Sequence, residues 1–175
     1  MDDPWYRAVH GSDLEQGDIL ENCPVYRPRT DPAIAEPDTV VFDEDLHDVI
    51  VVTQSCDLAL GREKVSEILL CPVWRRSELN APHHLSTSRG MEEARRGAVP
   101  GFHVLAASSE PGLQGEVRVV DFRRVYTLPV AFVRRQAEQS SPRLRLLPPY
   151  REHLSQAFAR YFMRVGLPVD IPPFR

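Results

Sequence analysis

The segment VIVVTQSCD, residues 49–57, joins a continuous β-branched run to a cluster of polar side chains. Four consecutive branched apolar residues bounded by charge are typical of a buried β-strand. A second apolar run, ILLC at residues 68–71, follows a polar turn around Gly61 and is stopped by Pro72. The simplest arrangement of these two strands is an antiparallel hairpin with its turn near Gly61.

Weaker patterns predict shorter elements on both sides of this hairpin. Alternation, proline content and glycine positions distinguish strands from loops and helices. Before the hairpin, they predict a strand entry at 17–20, a proline-rich loop at 27–38 and a short strand at 40–42 that is closed by the acidic run 43–45. After it, they predict a mobile excursion at 75–100 that contains a polar helix at 91–96. The remaining predictions are a strand at 102–105, a half-exposed strand at 116–122, a segment at 129–137 that is ambiguous between strand and helix, and a strand at 144–147.

The clearest helix prediction lies near the end of the chain, after Pro149. Apolar residues recur there at helical spacing and form one face. This face comprises Tyr150, Leu154, Ala157, Phe158, Tyr161, Phe162 and Val165. Gly166 stands where a helix C-cap belongs, and Pro168 prevents continuation of the helix.

Length and composition predict one globular domain over residues 1–175. Hydrophobic residues make up 42% of the chain, yet the longest apolar runs are far too short to span a bilayer. The acidic N-terminus lacks the apolar region of a secretory signal. Three cysteines without close spacing predict no disulfide framework, and together these features predict a cytoplasmic protein.

Charge is distributed unevenly along the chain, whose net charge is −4. Residues 1–70 carry 16 acidic and 5 basic residues, whereas residues 71–175 carry 9 acidic and 16 basic residues. Either the two halves mix on the folded surface, or the second half forms a basic face for an anionic partner such as nucleic acid.

The order of several motifs resembles that of the MazF/PemK-like toxin family. These motifs are Gly-Asp-Ile at residues 17–19, the strong strand at 49–52, Leu-Cys-Pro-Val at 70–73, a Val-Asp-Phe strand at 120–125 and a Leu-x-Pro lead-in to the last helix at 146–167. The resemblance covers most of the chain outside residues 75–115. The segment Thr-Gln-Ser-Cys-Asp-Leu at 53–58 also resembles one found in uncharacterised bacterial proteins.

This resemblance implies an α+β fold built on a small SH3-like β-barrel. The barrel would comprise residues 14–74 and 101–147, with a helical and loop insertion at 75–100 and a C-terminal helix at 149–165. It also implies a homodimer, for which the arginine-rich, partly apolar late segment would supply a self-complementary surface.

The ribonuclease residues of active family members are not matched in this chain. Those members place an arginine near the position of His47, where arginine stabilises developing phosphorane-like charge. They also place a threonine where this chain has Ser66 or Glu67. The resemblance therefore implies the scaffold of a binding or regulatory module, for nucleic acid or a partner protein, in a toxin-antitoxin or defence context.

The polar cluster after the strong strand is the first candidate site. Gln54, Ser55, Cys56 and Asp57 lie at the end of a buried strand, where a thiol beside a carboxylate is a candidate nucleophile or metal ligand. The alternative is a turn in which Ser55 and Asp57 hydrogen-bond the backbone while Cys56 packs inward.

His103 is the candidate partner of Cys56 for a Cys/His-dependent or metal-dependent hydrolase, the enzymatic alternative to a binding module. We expect the excursion at 75–100 to fold over the strand end, so that Cys56 and His103 share one pocket. Asp121 either orients His103 or pairs with a surface arginine. A structural role for His103, buried and hydrogen-bonded, is the alternative.

The remaining candidates are binding residues. The last helix begins with three of them, Tyr150, Arg151 and His153, which either line a groove or form a solvated helix face. The fourth is His47, which precedes the strong strand. The three cysteines lack the paired spacing of a zinc site, and no phosphate-binding loop occurs. The sequence therefore predicts neither a metal site nor a cofactor.

Overall fold

The computed structural model describes residues 4–29 and 41–163. Within these ranges, antiparallel strands and three α-helices form an α+β fold, which confirms the predicted class. The strands are β1 (Tyr6–Val9), β2 (Ile19–Pro28), β3 (Phe42–Val51), β4 (Glu67–Arg75), β5 (Phe102–Leu105), β6 (Arg118–Asp121), β7 (Tyr126–Pro129) and β8 (Arg143–Leu146). The helices are α1 (Ser88–Arg95), α2 (Val130–Gln139) and α3 (Tyr150–Phe162).

The strands are arranged in one large sheet and one small ladder. The large sheet has the order β2-β3-β4-β6-β5, and β7 pairs with β4 alongside β6. The small ladder pairs β1 with β8 and meets the start of β2 through a bridge between Asp18 and Arg145. Among the described residues no ladder closes the large sheet into a barrel.

The predicted hairpin is present, because β3 and β4 pair antiparallel with Val51 opposite Leu70. Its first strand is longer than predicted. Residues 42–51 form a single strand, so the acidic run at 43–45 continues the strand instead of closing it. Asp43 and Asp45 tolerate this position because Arg29 and Arg27 on the neighbouring chain segment donate hydrogen bonds to them.

Proline positions account for two further differences from the predicted elements. Pro72 lies inside β4, where it was expected to end the strand. On one side, β4 pairs with β7 through residues 67–70 and with β6 through residues 73–75, so Pro72 falls between the two ladders. Pro24 and Pro28, expected near or in a loop, lie in β2, while Pro32 and Pro37 lie outside the described residues.

The sheet has apolar clusters on both faces. Alternating side chains of β4 divide between them: Ile68 and Leu70 contribute to a cluster with α2, whereas Cys71 and Val73 contribute to a cluster with α3. β6 was expected to be half-exposed, but all four of its residues are buried. Its position between β4 and β5 explains this, because helices and loops cover both faces there.

The excursion at 75–100 contains α1 and two short 3₁₀ turns. Thr87 caps α1 by accepting the Gly90 N–H, and Gly97 follows the helix with a φ of +74°. Met91 and Ala94 of α1 pack with Phe102 and Val119 of the sheet. The ambiguous segment at 129–137 forms α2, which begins directly after Pro129.

The last helix packs on the sheet as its spacing predicts. Leu154 is fully buried, and Phe158 and Tyr161 pack against the same cluster through Phe122. Phe162 is 57% exposed, so the predicted apolar face ends before it. Val165, Gly166 and Pro168 lie outside the described residues. None of the helices in the described ranges is long and apolar enough to cross a membrane.

A buried ion cluster connects the small ladder to the sheet. The Asp18 carboxylate has no exposed surface and accepts hydrogen bonds from the guanidinium groups of Arg143 and Arg145 on β8. The same arginines donate to the carbonyl oxygens of Gly11 and Asp13. Charged groups this deeply buried require such pairing, because their desolvation is otherwise uncompensated.

We predict that Asp18→Asn lowers the free energy of unfolding by about 3–5 kcal/mol, because it removes the carboxylate shared by two buried guanidinium groups, of which Arg145 retains Glu15. Urea denaturation measures this change. Arg29→Gln breaks an exposed pair with Asp43 and should cost at most about 1 kcal/mol. Equal midpoints for the two variants would contradict a structural role for the cluster.

Candidate functional site

The polar segment after β3 is anchored by backbone contacts. Thr53 Oγ1 accepts the Leu69 N–H at 2.8 Å, and Ser55 Oγ accepts the Gln16 N–H at 3.0 Å. The Gln16 side chain in turn donates to the Val52 carbonyl oxygen at 2.8 Å. Two of the polar side chains in this segment are therefore used to fix the chain where it leaves the sheet.

The same segment lines a cleft against the start of α3. The cleft has a volume of about 360 Å³, and its walls include Gln54, Ser55 and Cys56 on one side and Arg151 and Ser155 on the other. Gln54 Nε2 donates to Ser155 Oγ at 3.1 Å. The structure therefore brings together four of the predicted site residues, from the strand end and from the last helix.

Cys56 is the exposed cysteine of the three. It lies in a 3₁₀ turn over Ser55–Asp57, and its thiol donates to Asp57 Oδ1 at 3.6 Å. Asp57 also pairs with Lys64 at 3.3 Å. The inward packing considered for Cys56 is wrong, because its side chain is exposed at the cleft. Among the described residues, no histidine lines that cleft to act as its base.

His103 lies elsewhere, on β5, and does not line the Cys56 cleft. Its ring stacks on Phe122 with centroids 6.3 Å apart, and its buried Nε2 has no hydrogen-bond partner within the described residues. Burial, with a smaller contribution from the charge of His153, lowers the His103 pKa to about 4. His103 is therefore neutral at pH 7 and packs as part of the core.

Asp121 pairs with an arginine, which is one of the two alternatives considered for it. The backbone N–H, Nε and Nη2 of Arg123 all donate to the Asp121 carboxylate, at 2.8–3.0 Å. The Arg123 guanidinium also lies 4.3 Å from the centroid of the Phe102 ring. Asp121 is thus fully engaged by Arg123 and does not orient His103.

His47 belongs to an aromatic group on the opposite face of the sheet from α3. Its ring meets Trp74 of β4 edge-on at 5.4 Å and stacks on Tyr126 of β7 at 6.0 Å. All three side chains are half-buried. Burial is the main cause that lowers the pKa of His47.

Arginines flank this aromatic group. Trp74, Arg123 and Arg124 line one cleft of about 290 Å³, together with His83. The Arg124 guanidinium is exposed and has no hydrogen-bond or ion-pair partner in the described part of the chain. The sequence analysis did not identify Trp74, Tyr126 or Arg124 as site residues. The hairpin register could have indicated Trp74, because Val49 lies opposite Pro72 and the same register places Trp74 opposite His47.

Tyr150 and His153 lie at the start of α3. The Tyr150 ring stacks on Trp5 with centroids 3.8 Å apart and meets the His153 ring edge-on at 6.1 Å. Arg151 Nη1 donates to Glu15 Oε2 at 3.2 Å. Tyr150 therefore fixes the helix on the N-terminal segment, whereas Arg151 extends toward the Cys56 cleft.

Comparison with known proteins gives no assignment. No protein-family model matches the chain, and no curated protein or solved structure is significantly similar to it. Within residues 4–29 and 41–163, no group of three or more histidine, cysteine or acidic side chains is placed to hold a metal ion.

We predict that one thiol of the native protein reacts rapidly with Ellman's reagent. Cys56 is exposed, whereas burial raises the pKa of Cys23 to about 11 and that of Cys71 to about 12, where the carboxylate of Asp121 adds to the effect. Cys56→Ser should abolish the rapid phase, and denaturant should expose the other two thiols. Equal reaction rates for all three thiols in the native protein would contradict this placement.

We also predict that His103 makes the protein less stable in acid. Its pKa is about 4 in the folded state and near 6.5 when unfolded, so the unfolded state binds the extra proton between these values. Stability should therefore fall as the pH decreases from 6.5 toward 4. Urea midpoints across this range should fall less in His103→Leu, whereas His10→Gln, at an exposed site that does not contribute to the His103 pKa, should retain the full decline.

Proposed function

We propose that this chain is a module that binds single-stranded nucleic acid. The binding site is the aromatic–arginine surface, defined here as His47, Trp74, Tyr126 and Arg124. The observation that supports it best is the combination of three half-buried rings with an unpaired guanidinium on one face of the sheet.

The rings supply the contact to bases. Proteins that bind single strands stack bases on aromatic side chains, and each such contact contributes about 1–3 kcal/mol. Trp74 and Tyr126 are fixed through His47 between them, so little side-chain freedom is lost on binding. A ring platform of this kind accepts any base, because every base has an aromatic face.

The charges around the rings favour a phosphate backbone. Asp45 near His47 is neutralised by Arg27, and Asp121 is neutralised by Arg123. Arg124 makes no ion pair within the described residues, Glu78 is the further acidic side chain of its cleft, and residues 71–175 carry 16 basic against 9 acidic residues. Binding should therefore be moderate in affinity and sensitive to salt, since the whole chain is acidic.

The scaffold part of the proposal is a diverged MazF/PemK-like, SH3-like barrel. Its support is the order of sequence motifs, together with the bridge from Asp18 to Arg145 that joins the small ladder to β2. His47 stands near the position where active family members have arginine. The proposed module therefore binds RNA without cleaving it, as a regulator in a toxin-antitoxin or defence context.

A hydrolase that uses Cys56 and His103 is the less favoured function. The exposed thiol and the cleft of about 360 Å³ favour it. Against it, His103 does not line that cleft, and Asp121 is engaged by Arg123. Homodimerisation and a cytoplasmic location stay predictions from the sequence.

We predict that Trp74→Ala weakens binding of a fluorescein-labelled single-stranded RNA by about tenfold or more, because it removes a stacking surface. Fluorescence anisotropy measures the Kd. Arg124→Gln should weaken binding similarly and reduce the slope of log Kd against log salt by about one. Trp74→Phe, which keeps an aromatic face, should retain most of the affinity.

Arg160→Gln is the matched control, because Arg160 is an exposed arginine of α3, on the other side of the sheet. It should bind as the unmodified protein does. Equal affinity of Trp74→Ala, Arg124→Gln and Arg160→Gln would contradict the proposed surface. Cleavage of the RNA would contradict a purely binding role.

A further inference from the structure

The face of the sheet on which α3 packs carries two further clefts, located at the start of β6. Two adjoining clefts, of about 230 and 330 Å³, share the side chains of Glu21, Leu113 and Arg118 as walls. Arg75 lines the larger one and lies directly across the ladder from Arg118. Neither cleft contains a residue of the aromatic–arginine surface, because alternate residues of β4 point to opposite faces.

Arg118 is a buried side chain in which one guanidinium nitrogen makes no hydrogen bond within the described residues. Only 5% of the residue is exposed, and its Nη2 donates to Glu21 Oε1 at 2.6 Å. Its Nη1 is also buried but has no hydrogen-bond partner in the described part of the chain. A buried donor without an acceptor costs about 1–3 kcal/mol, so this guanidinium is placed for an acceptor that the chain itself does not supply.

A β-bulge places Glu21 beside this donor. The register between β2 and β3 shifts between Leu20 and Cys23, so Glu21 and Asn22 together face Asp48. Asn22 adopts a φ of 52°, and its N–H donates to Asp48 Oδ1 at 3.0 Å. Bulges re-aim side chains near binding sites, and this one directs the Glu21 carboxylate to Arg118.

The charges of the cleft argue against an anionic ligand. Both arginines already have carboxylate partners: Glu21 lies 2.6 Å from Arg118 and 3.6 Å from Arg75, and Asp48 lies 3.4 Å from Arg75. Glu116 lines the larger cleft as a further acidic group. An incoming carboxylate or phosphate would therefore meet at least as much negative as positive charge.

A neutral molecule matches the groups that remain. Arg118 and the Glu21 carboxylate both line the clefts, and the Nη1 donor of Arg118 lies buried behind this lining without a partner in the described residues. A carbonyl next to an N–H presents the complementary pair in one planar edge. The larger cleft, of about 330 Å³, lies near the lower end of the range of about 300–1,000 Å³ for small-molecule sites, and the smaller cleft adjoins it.

We propose that the Arg118–Glu21 cleft binds a small neutral molecule through a cyclic amide edge, the group that nucleobases carry. The guanidinium of Arg118 turns toward the cleft so that its Nη1, buried in the unbound chain, donates to the carbonyl oxygen, and the adjacent N–H of the ligand donates to Glu21. This site does not depend on the aromatic–arginine surface. One proposal can therefore be wrong while the other is correct.

Uracil, 1,3-dimethyluracil and acetate are the probes that test this site, in titrations of the full chain followed by NMR. Uracil should bind at millimolar concentrations, and 1,3-dimethyluracil, which keeps the carbonyls but lacks both N–H donors, should bind about tenfold more weakly. Acetate should not bind. The absence of uracil binding would mean that water satisfies Arg118, and tighter binding of acetate would mean an anion site; either result overturns the proposal.

Glu21→Gln tests the contribution of the Glu21 carboxylate while Arg118 stays in place. The substitution does not remove a core residue, since the Glu21 side chain is 42% exposed. The variant should bind uracil several-fold more weakly, because its amide keeps only one neutral acceptor oxygen, and it should gain affinity for acetate, because Arg118 is left without a carboxylate. In Trp74→Ala, the uracil-induced NMR shifts of Glu21 and Arg118 should persist, even where shifts at the aromatic–arginine surface are lost. Unchanged uracil-induced shifts at Arg118 in Glu21→Gln, or their loss in Trp74→Ala, would place uracil at another site and contradict the assignment.

Discussion

The buried carboxylate of Asp18 is the contact on which the arrangement of the layers depends. Its backbone pairs with the end of β3, since the Val51 N–H donates to the Asp18 carbonyl, while its side chain holds Arg143 and Arg145 of β8. Arg145 also pairs with Glu15, and Glu15 pairs with Arg151 at the start of α3. One chain of ion pairs therefore connects the sheet, the small ladder and the last helix, and it positions both walls of the Cys56 cleft.

The alternation of side chains along β4 separates two surfaces that lie only one residue apart. Trp74 points to the face that carries His47 and Tyr126, whereas Arg75 points to the face that carries Arg118. The first face combines aromatic rings with an uncompensated arginine, which suits a charged polymer with stackable bases. The second face pairs each arginine with a carboxylate, which suits a neutral ligand. The two proposals therefore assign two kinds of recognition to the same strand, without contact between the two surfaces.

Local patterns predicted the β3–β4 hairpin and α3, because periodicity and β-branched runs report directly on burial, whereas the α+β class was implied by the family resemblance. They did not predict β1 or the burial of Arg143 and Arg145, since their partner Asp18 is more than 100 residues away in sequence. The segment from Gln54 to Cys56 was found because polar residues are unusual at the end of a buried strand. The pairing of Cys56 with His103 depended on how the excursion folds, which no local pattern specifies, and the structure does not bring His103 to the cleft.

The central claim is that single-stranded RNA lies across Trp74, Tyr126 and Arg124. Photocrosslinking with RNA that carries 5-iodouracil tests it most directly, because the reaction joins the base to an aromatic ring in contact with it. Peptide mass spectrometry would then locate the adducts, with Trp5, stacked on Tyr150, as the internal control. The account predicts adducts at Trp74 and Tyr126 and none at Trp5. Adducts confined to other residues, or crosslinking equal to that of a double-stranded control, would contradict it.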